Sequence, residues 1–465
     1  MLIFPNFFFT TLPLINFCIN NLHSELQMTD FPSTKYERGK IFAKTGIKVG
    51  KNYAAHYLKT LTRQQSNRND LHRKTAEDMF SEFTKLRGTA LKIAQSFSLD
   101  QGFLPDEFSE VMTRAQYKVP PINRSVVRSV IKKELGSYPE QLFEEFDLNS
   151  IAAASIGQVH KARLKTGEIV AVKIQYPGVR DTISSDIALA RTLFKQIVSA
   201  SSDVDTYIEE IKNTLLDETD YIKEGQSINR FHARFSSDKV VTPKWIPELS
   251  TGRVLTMTFI EGNHLSEFLE TNPSRDEKDL FGQLLWDFFH QQIKDRDEVH
   301  ADTHPGNFLF TPDKKLGVID FGCIKHFPDH FFLNYLRLLP THLDRNEEKI
   351  KKLYDQLDVL KCDPDTNKKE KIFYEFCKNY GYTFSLPYME NQFDFADEEY
   401  KNLIKGYTNN APVTHEPRGN KHFIYSTRVH LGLYHFLMKL GATVSTKESR
   451  EIVFNVLDSA GKNVL

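Results

Sequence analysis

Three oxygen-bearing side chains, Asp302, Asn307 and Asp320, stand five and thirteen residues apart, and no other feature constrains the fold as tightly. Between Asn307 and Asp320 lie two short apolar runs, Phe308–Phe310 and Gly317–Ile319, flanking a polar Thr311–Lys315 turn. That pattern predicts a tight β-hairpin. A hairpin of this length returns the chain to its start, so Asn307 and Asp320 come together with Asp302 just ahead of them. Hard oxygen ligands are what Mg²⁺ takes. Asn307 and Asp320 are therefore a candidate ligand pair for such an ion, with Asp302 beside them as a candidate proton acceptor.

The residues around each aspartate sharpen this reading. His300–Ala301–Asp302 followed by Asn307 fits the kinase catalytic-loop pattern H-R-D-x-x-x-x-N with Ala for Arg, and Asp320–Phe321–Gly322 fits D-F-G. Either alone is weak; in this order and at this spacing the pair is specific. Upstream, Ala152-x-Ala154-x-x-Gly157-x-Val159 matches the phosphate-covering loop G-x-G-x-x-G-x-V, with alanine at the first two glycine positions. Gln158–Leu164 and Ile169–Ile174, joined by a turn at Thr166–Gly167, are predicted to pair as a hairpin. Val170–Ala171–Val172–Lys173 then puts Lys173 where a kinase keeps the lysine for the α/β-phosphates. Such a lysine needs a carboxylate on a helix. The helical stretch from Val204 through Phe231 offers Glu218, Asp220 and Glu224. Glu218 and Glu224, six apart, do not share a helix face and are assigned different jobs.

Around these motifs the chain divides into five parts: 1–27, 28–75, 76–145, 146–262 and 263–465. Met79, Phe83, Leu86, Ala90, Ile93 and Phe97 recur at helical period and predict one strong helix. On periodicity alone Lys92 and Gln95 project to its solvent side. Further helices are expected over Leu104–Gln116 and Arg124–Leu135, from Ile183 through Ile197, and over most of the chain after Leu265. Strands are expected at Lys239–Val241 and Arg253–Ile260. A small sheet-bearing lobe followed by a larger helical one makes the fold class α+β.

With these residues in view, the sequence resembles the UbiB/ADCK family of atypical kinases, from about Thr75 to Gly322 and more weakly beyond. The family's K-x-G-Q helix is matched by Lys92–Ile93–Ala94–Gln95, with Ala at the glycine position. Its alanine-rich loop is matched by Ala152–Ala153–Ala154–Ser155, its E-x-D motif by Glu218–Thr219–Asp220, and its catalytic loop by Asp302 to Asn307. The resemblance implies a bilobal protein-kinase-like fold with an N-terminal helical extension and a mostly helical C-lobe. It implies ATP and Mg²⁺ as cofactors, Lys173 and Asp302 as catalytic, and Asn307 and Asp320 as metal ligands. Glu224 becomes the lysine's partner. Ala152, Ala153, Ala154, Ser155, Gly157, Val159 and Met257 are assigned to the nucleotide, and Lys92 and Gln95 move from solvent to the pocket wall. The family looks more like ATPases than protein kinases, in the context of ubiquinone and related isoprenoid-quinone lipids at membrane surfaces. In keeping with this, no A-P-E follows Asp320, and Cys323 to Leu343 passes into helical pattern. The alternative is an ATP-gated protein that binds lipid or a partner and hydrolyses only incidentally.

Composition excludes several other classes. The 26% charged and 40% hydrophobic chain is that of an ordinary globular protein. Its four cysteines are too scattered for a disulfide framework. A formal charge of −1 gives no sign of nucleic-acid binding. That neutrality is uneven: Lys35 to Lys74 holds eleven Lys and Arg against Glu37 and Asp70, a net +9, leaving −10 elsewhere. Apolar residues interleave with the basic ones, so the block reads either as a solvated helical face or as a surface for anionic lipid. The expected partners are a nucleotide and an isoprenoid-quinone precursor or anionic lipid surface, in a cytoplasmic protein peripheral to a membrane. The Phe-rich stretch from Leu2 to Ile19 is broken by Pro5 and Pro13 and lacks the basic start of an export signal. It reads as a weak anchor, a degenerate signal, or a segment outside the working protein, with translation starting at Met28.

Overall fold

The computed structural model describes residues 35–61, 68–86, 93, 111, 121–154, 156–197, 204–296, 298–409, 412 and 418–461. Two helices open it, α1 (Lys35–Leu61) and α2 (Arg68–Leu86). Phe42 and Val49 of α1 meet Met79, Phe83 and Leu86 of α2 in a core of their own, with the Phe42 and Phe83 rings 5.6 Å apart. Met79, Phe83, Leu86 and Ile93 of the expected stripe are all buried. Ala90 and Phe97 lie outside the described residues, as does all of the expected Leu104–Gln116 helix except the buried Val111. Helix α3 (Arg124–Leu135) has the predicted bounds: the Asn123 side chain accepts from the Ser125 N–H at its start, and Gly136 ends it at φ +79°, which glycine adopts readily.

The N-lobe sheet has the order β1 (Glu145–Ala154), β2 (Gly157–Arg163), β3 (Ile169–Gln175), β5 (Val254–Thr258), all antiparallel; β4 is Val240–Val241. Central β3 is buried along nearly its whole length, as its unbroken β-branched run requires. Edge strand β1 has no counterpart in the sequence reading, which treats Ala152–Ala154 as loop. It pairs with β2 through Ala152↔Val159 and Ala154↔Gly157. Phe146 and Leu148 alternate with Glu145, Asp147 and Asn149 and pack on the main core, but the period is lost over the exposed Ile151, Ala152 and Ala153, so only its first half reads as strand.

Helix α4 (Val179–Ile197) follows β3 and packs into the core of α1 and α2. The single helix expected from Val204 through Phe231 is in fact two, α5 (Val204–Glu218) and α6 (Tyr221–Phe235). Asp220 breaks it: its carboxylate accepts from the Lys223 N–H as the N-cap of α6.

The C-lobe is built on α7 (Arg275–Asp295), whose Trp286, Phe288 and Phe289 lie in the main core. Short strands β6 (Glu298–His300), β7 (Phe308–Phe310), β8 (Leu316–Val318) and β9 (Ile324–His326) carry the motif loops. The hairpin expected between Asn307 and Asp320 is β7–β8, with β4 added in parallel to β8. Strand β9, unanticipated inside Cys323–Leu343, pairs with β6, and helix begins only at α8 (Asp329–Leu343). The fold is thus the expected α+β, kinase-like arrangement. Among the described residues no helix is long and apolar enough to cross a membrane.

Candidate nucleotide and metal site

Paired positions in an antiparallel ladder place their side chains on the same face. Val159↔Lys173↔Leu255 and Ala171↔Met257 are such pairs, so Val159, Ala171, Lys173 and Met257 share one face of the N-lobe sheet. The chain turns from β1 into β2 over them at Gly157. A Cβ there would lie 2.8 Å from the Tyr221 hydroxyl, and it would meet the Ile174 carbonyl still more closely. Only glycine allows this approach.

Lys173 is buried beneath that turn. Its Nζ lies 2.8 and 3.0 Å from the two Glu224 oxygens and 3.1 Å from Asp320 Oδ2, with the Tyr221 ring centre 5.2 Å away. One cation is thus shared by two carboxylates from opposite lobes. Burial opposes the Lys173 charge, but Asp320 and Glu224 outweigh it and hold its pKa well above the ordinary lysine value. Burial pushes Glu224 up to about 7 against the pull of Lys173. Asp320 goes the other way: despite burial, the Lys173 ammonium and the Gly322 N–H, 2.9 Å from Oδ1, bring it down to about 2. Asp320 is therefore ionised at any physiological pH.

Backbone contacts assemble the C-lobe half of the site. The Ile319 N–H donates to the Asn307 carbonyl at 3.0 Å, and the Ala301 N–H to that of Cys323 at 2.9 Å. These bonds bring the chain just before Asp302 beside the chain just after Asp320. Asp302 is half-buried, with Oδ1 accepting from the His304 N–H at 3.1 Å. Asn307 is buried; its Nδ2 donates to the Asp302 carbonyl at 3.3 Å, which leaves its amide oxygen as a ligand.

His300 sits among the rings of Phe231, Phe288, Phe289, Phe308 and Phe321. Burial lowers its pKa and keeps it neutral. Its Nε2 faces the Asp320 carbonyl at 2.7 Å and so carries the proton, and its backbone N–H donates to Gln292 Oε1 at 2.7 Å. The sequence reading used His300 as a motif letter and missed both Gln292 and Tyr221. The close glycine at Gly157 is the only trace Tyr221 leaves in the sequence.

The structure brings together Val159, Lys173, Glu224, Met257, Asp302, Asn307 and Asp320. Ala152, Ala153 and Ala154 end β1 above them. Glu218 and Asp220 flank the α5–α6 break, so the expectation that Glu218 and Glu224 lie on different faces of one helix does not apply. Asp220 caps α6. Glu218 stands with Asp302 near the Cys323 thiol, where burial first and then these two carboxylates push the thiol up to about 12. Lys92, Gln95 and Ser155 lie outside the described residues.

The donor set suits Mg²⁺. Among the described residues no three His, Cys, Asp or Glu side chains converge as a closed metal cage. One carboxylate and one amide oxygen instead match an ion that keeps water and phosphate as its other ligands. The two carboxylates on Lys173 leave a net negative charge that a cation can offset.

A strand lysine held by a helix glutamate, with aspartates on two adjoining loops beside it, is the arrangement of a protein-kinase-like site. The chain belongs to the ABC1 atypical kinase-like family, whose model matches residues 114–354. It is similar to the atypical kinase COQ8, mitochondrial, of Saccharomyces cerevisiae, at 28% identity over 82% of this chain and 77% of that protein. It is also similar to the probable serine/threonine-protein kinase abkA of Dictyostelium discoideum, at 31% identity over 59% of this chain, where the match spans only about half (51%) of the relative. Among solved structures, a complex of Rv3197 with erythromycin from Mycobacterium tuberculosis matches with TM-score 0.60 and 25% identity, over 83% of this chain and 97% of that one.

Proposed function

We propose that the protein is a Mg²⁺-dependent, ATP-binding atypical kinase or ATPase that serves isoprenoid-quinone lipid metabolism rather than phosphorylating proteins. The observation that carries the enzymatic part is the Lys173 ammonium held between Glu224 and Asp320. Lys173 binds the α/β-phosphates once Glu224 has oriented it. Asn307 and Asp320 would hold Mg²⁺, which when bound would supply charge neutralisation at the phosphates. Asp302 orients or deprotonates the attacking hydroxyl or water. Val159, Ala171 and Met257 form the apolar surface for the base, and Ala152–Ala154 with Gly157 the roof over the phosphates. The quinone context rests on the motif resemblance and on the likeness to COQ8.

The deciding experiment compares wild type with Asp320→Asn in MgATP binding, ATP turnover and complementation of a deletion strain. The variant should fold, lose turnover and fail to complement. If it complements while binding MgATP as wild type does, the protein is an ATP-gated binder instead. Accumulation of a quinone intermediate in the deletion strain tests the pathway.

A further inference from the structure

Glycine in the middle of a helix weakens it relative to alanine, so Gly225, the residue after Glu224 in α6, needs a reason. The structure supplies one. A Cβ on Gly225 would stand 2.5 Å from Nε1 and 2.6 Å from Cδ2 of Trp245, and closer still to Cε2. No side chain fits there, and the obstacle is a rigid ring rather than the tip of a flexible chain. The indole therefore lies directly on the backbone of α6. Both sides give something up: the helix carries a glycine, and Trp245 buries an indole N–H that finds no partner among the described residues. Two unfavourable local choices at one contact mark a place where position matters more than stability.

On its other side Trp245 is fixed by the sheet. It bridges Met257 of β5, where the Ile246 N–H donates to the Thr256 carbonyl at 2.9 Å and the Thr258 N–H to the Lys244 carbonyl at 3.0 Å. Opposed residues of an antiparallel pair share a face, so Trp245 stands on the face that carries Met257, Ala171 and Lys173. The ring is thus a spacer between that face and α6. Glu224, next in the chain to the residue on which the ring presses, reaches Lys173 Nζ at 2.8 and 3.0 Å. Other ties of α6 lie at its start, where Asp220 caps it, and further along, where Arg230 meets Glu298.

We propose that Trp245 is a positioning residue for the phosphotransfer site: its indole, wedged between β5 and the Gly225 backbone, sets the height of α6 over the sheet and so aims Glu224 at Lys173. Its action runs through Glu224 alone. Because Trp245 also faces Met257, the surface assigned to the base and the Lys173–Glu224 pair share one rigid support. This role rests on the kinase-type reading of the site given above, and adds to it two residues that no motif contains.

The test is steady-state MgATP turnover by the full chain, expressed per folded molecule from near-UV circular dichroism, with Lys173→Ala alongside. Gly225→Ala drives a methyl against the indole and should lower kcat by roughly 100-fold, the scale of a misplacement of about 1 Å at a reacting centre, with KM changed much less. Trp245→Leu withdraws the support without a clash and should lower kcat about tenfold. Trp245→Phe keeps a flat ring and loses only the unpartnered N–H, so it should stay near wild type. Gly225→Ala combined with Trp245→Leu should turn over faster than Gly225→Ala alone, since leucine leaves room for the methyl. The decisive measurement repeats Gly225→Ala in a Glu224→Gln background, where it should change kcat by no more than about twofold. A merely structural defect would lower kcat again by its full factor. Should Gly225→Ala fail to fold, Trp245→Leu in the same two backgrounds carries the test. The proposal is overturned if both single variants turn over as wild type, if their losses persist in full beside Glu224→Gln, or if the double variant is no faster than Gly225→Ala. Lys173→Ala separates the causes. If it is inactive while the Gly225 and Trp245 variants are unaffected, only this positioning role fails; if it turns over as wild type, the kinase-type reading fails and this role with it.

Discussion

Arg38–Asp186 in the N-terminal helical cluster and Lys173–Glu224 under the central sheet are both buried cation–carboxylate pairs at hydrogen-bond distance, yet they are built for different ends. Among the described residues the Arg38 guanidinium meets one carboxylate, Asp186, and the Leu86 carbonyl, with the Arg38 and Asp186 side chains 2 and 0% exposed. Among the described residues one cation faces one carboxylate there, and the pair joins α1, the end of α2 and α4. Lys173 meets two carboxylates, and the second, Asp320, is 35% exposed. Charge there is unbalanced, and the surplus faces the cleft. A closed, neutral pair is a structural tie; an open one with surplus negative charge is a cation site in waiting. Burial and distance alone do not distinguish them. The count of carboxylates and the direction of the remaining exposure do.

This contrast can be broken by experiment. The largest effect is expected at the open pair: Lys173→Ala should lower ATP turnover by about a thousandfold, on the scale of losing a preorganised transition-state contact, with far-UV circular dichroism unchanged. At the closed pair, Asp186→Ala takes the carboxylate from a buried guanidinium and should cost about 3–5 kcal/mol in denaturant unfolding. Restoring balance with Arg38→Met and Asp186→Leu together should recover much of that loss, and turnover per folded molecule should be unaltered in both. If the double variant is as unstable as the single one, the tie depends on more than charge balance.

The open pair should also respond to pH where the closed one does not. With Glu224 near 7, acidification below neutrality protonates it and releases its grip on Lys173 while Asp320, near 2, stays charged. Turnover should therefore fall about tenfold per pH unit below about 7. Glu224→Gln should be slow but lack that limb, measured as kcat/KM against pH. A pair of a third kind, Arg230–Glu298, ties α6 to β6 across the lobes with its arginine half exposed. Arg230→Ala should cost at most about 1 kcal/mol, because solvent screens it. A larger loss would show that the α6 position, and with it Glu224, is held from the C-lobe.

Legibility along the chain follows how local each cause is. The β7–β8 hairpin, the β2–β3 hairpin and the bounds of α3 were readable because turn residues and caps lie within a few positions of what they control. Strand β1 was not, since its alternation of Phe146 and Leu148 is short and its alanine-rich half is exposed and leaves no apolar period. The α5–α6 break was readable in principle, because Asp220 is a good N-cap residue, but helical periodicity on both sides masked it. The basic block shows the opposite limit. Nothing near Arg38 announces that its partner is Asp186, 148 residues on, and so net charge could not tell a tie from a surface.

By itself, then, the sequence determined which side chains could do chemistry and in what order they come. Spacing of Asp302, Asn307 and Asp320 across one short hairpin forces their approach through covalent connectivity alone. The motif resemblance already named Glu224 as the partner of Lys173; only the tertiary structure added Asp320 as its second carboxylate, made Asp220 the cap of α6, and decided which lysines face outward. Those outcomes depend on burial and on contacts between distant segments, and the free energy of a charged group is set by its surroundings in space rather than by its neighbours in the chain.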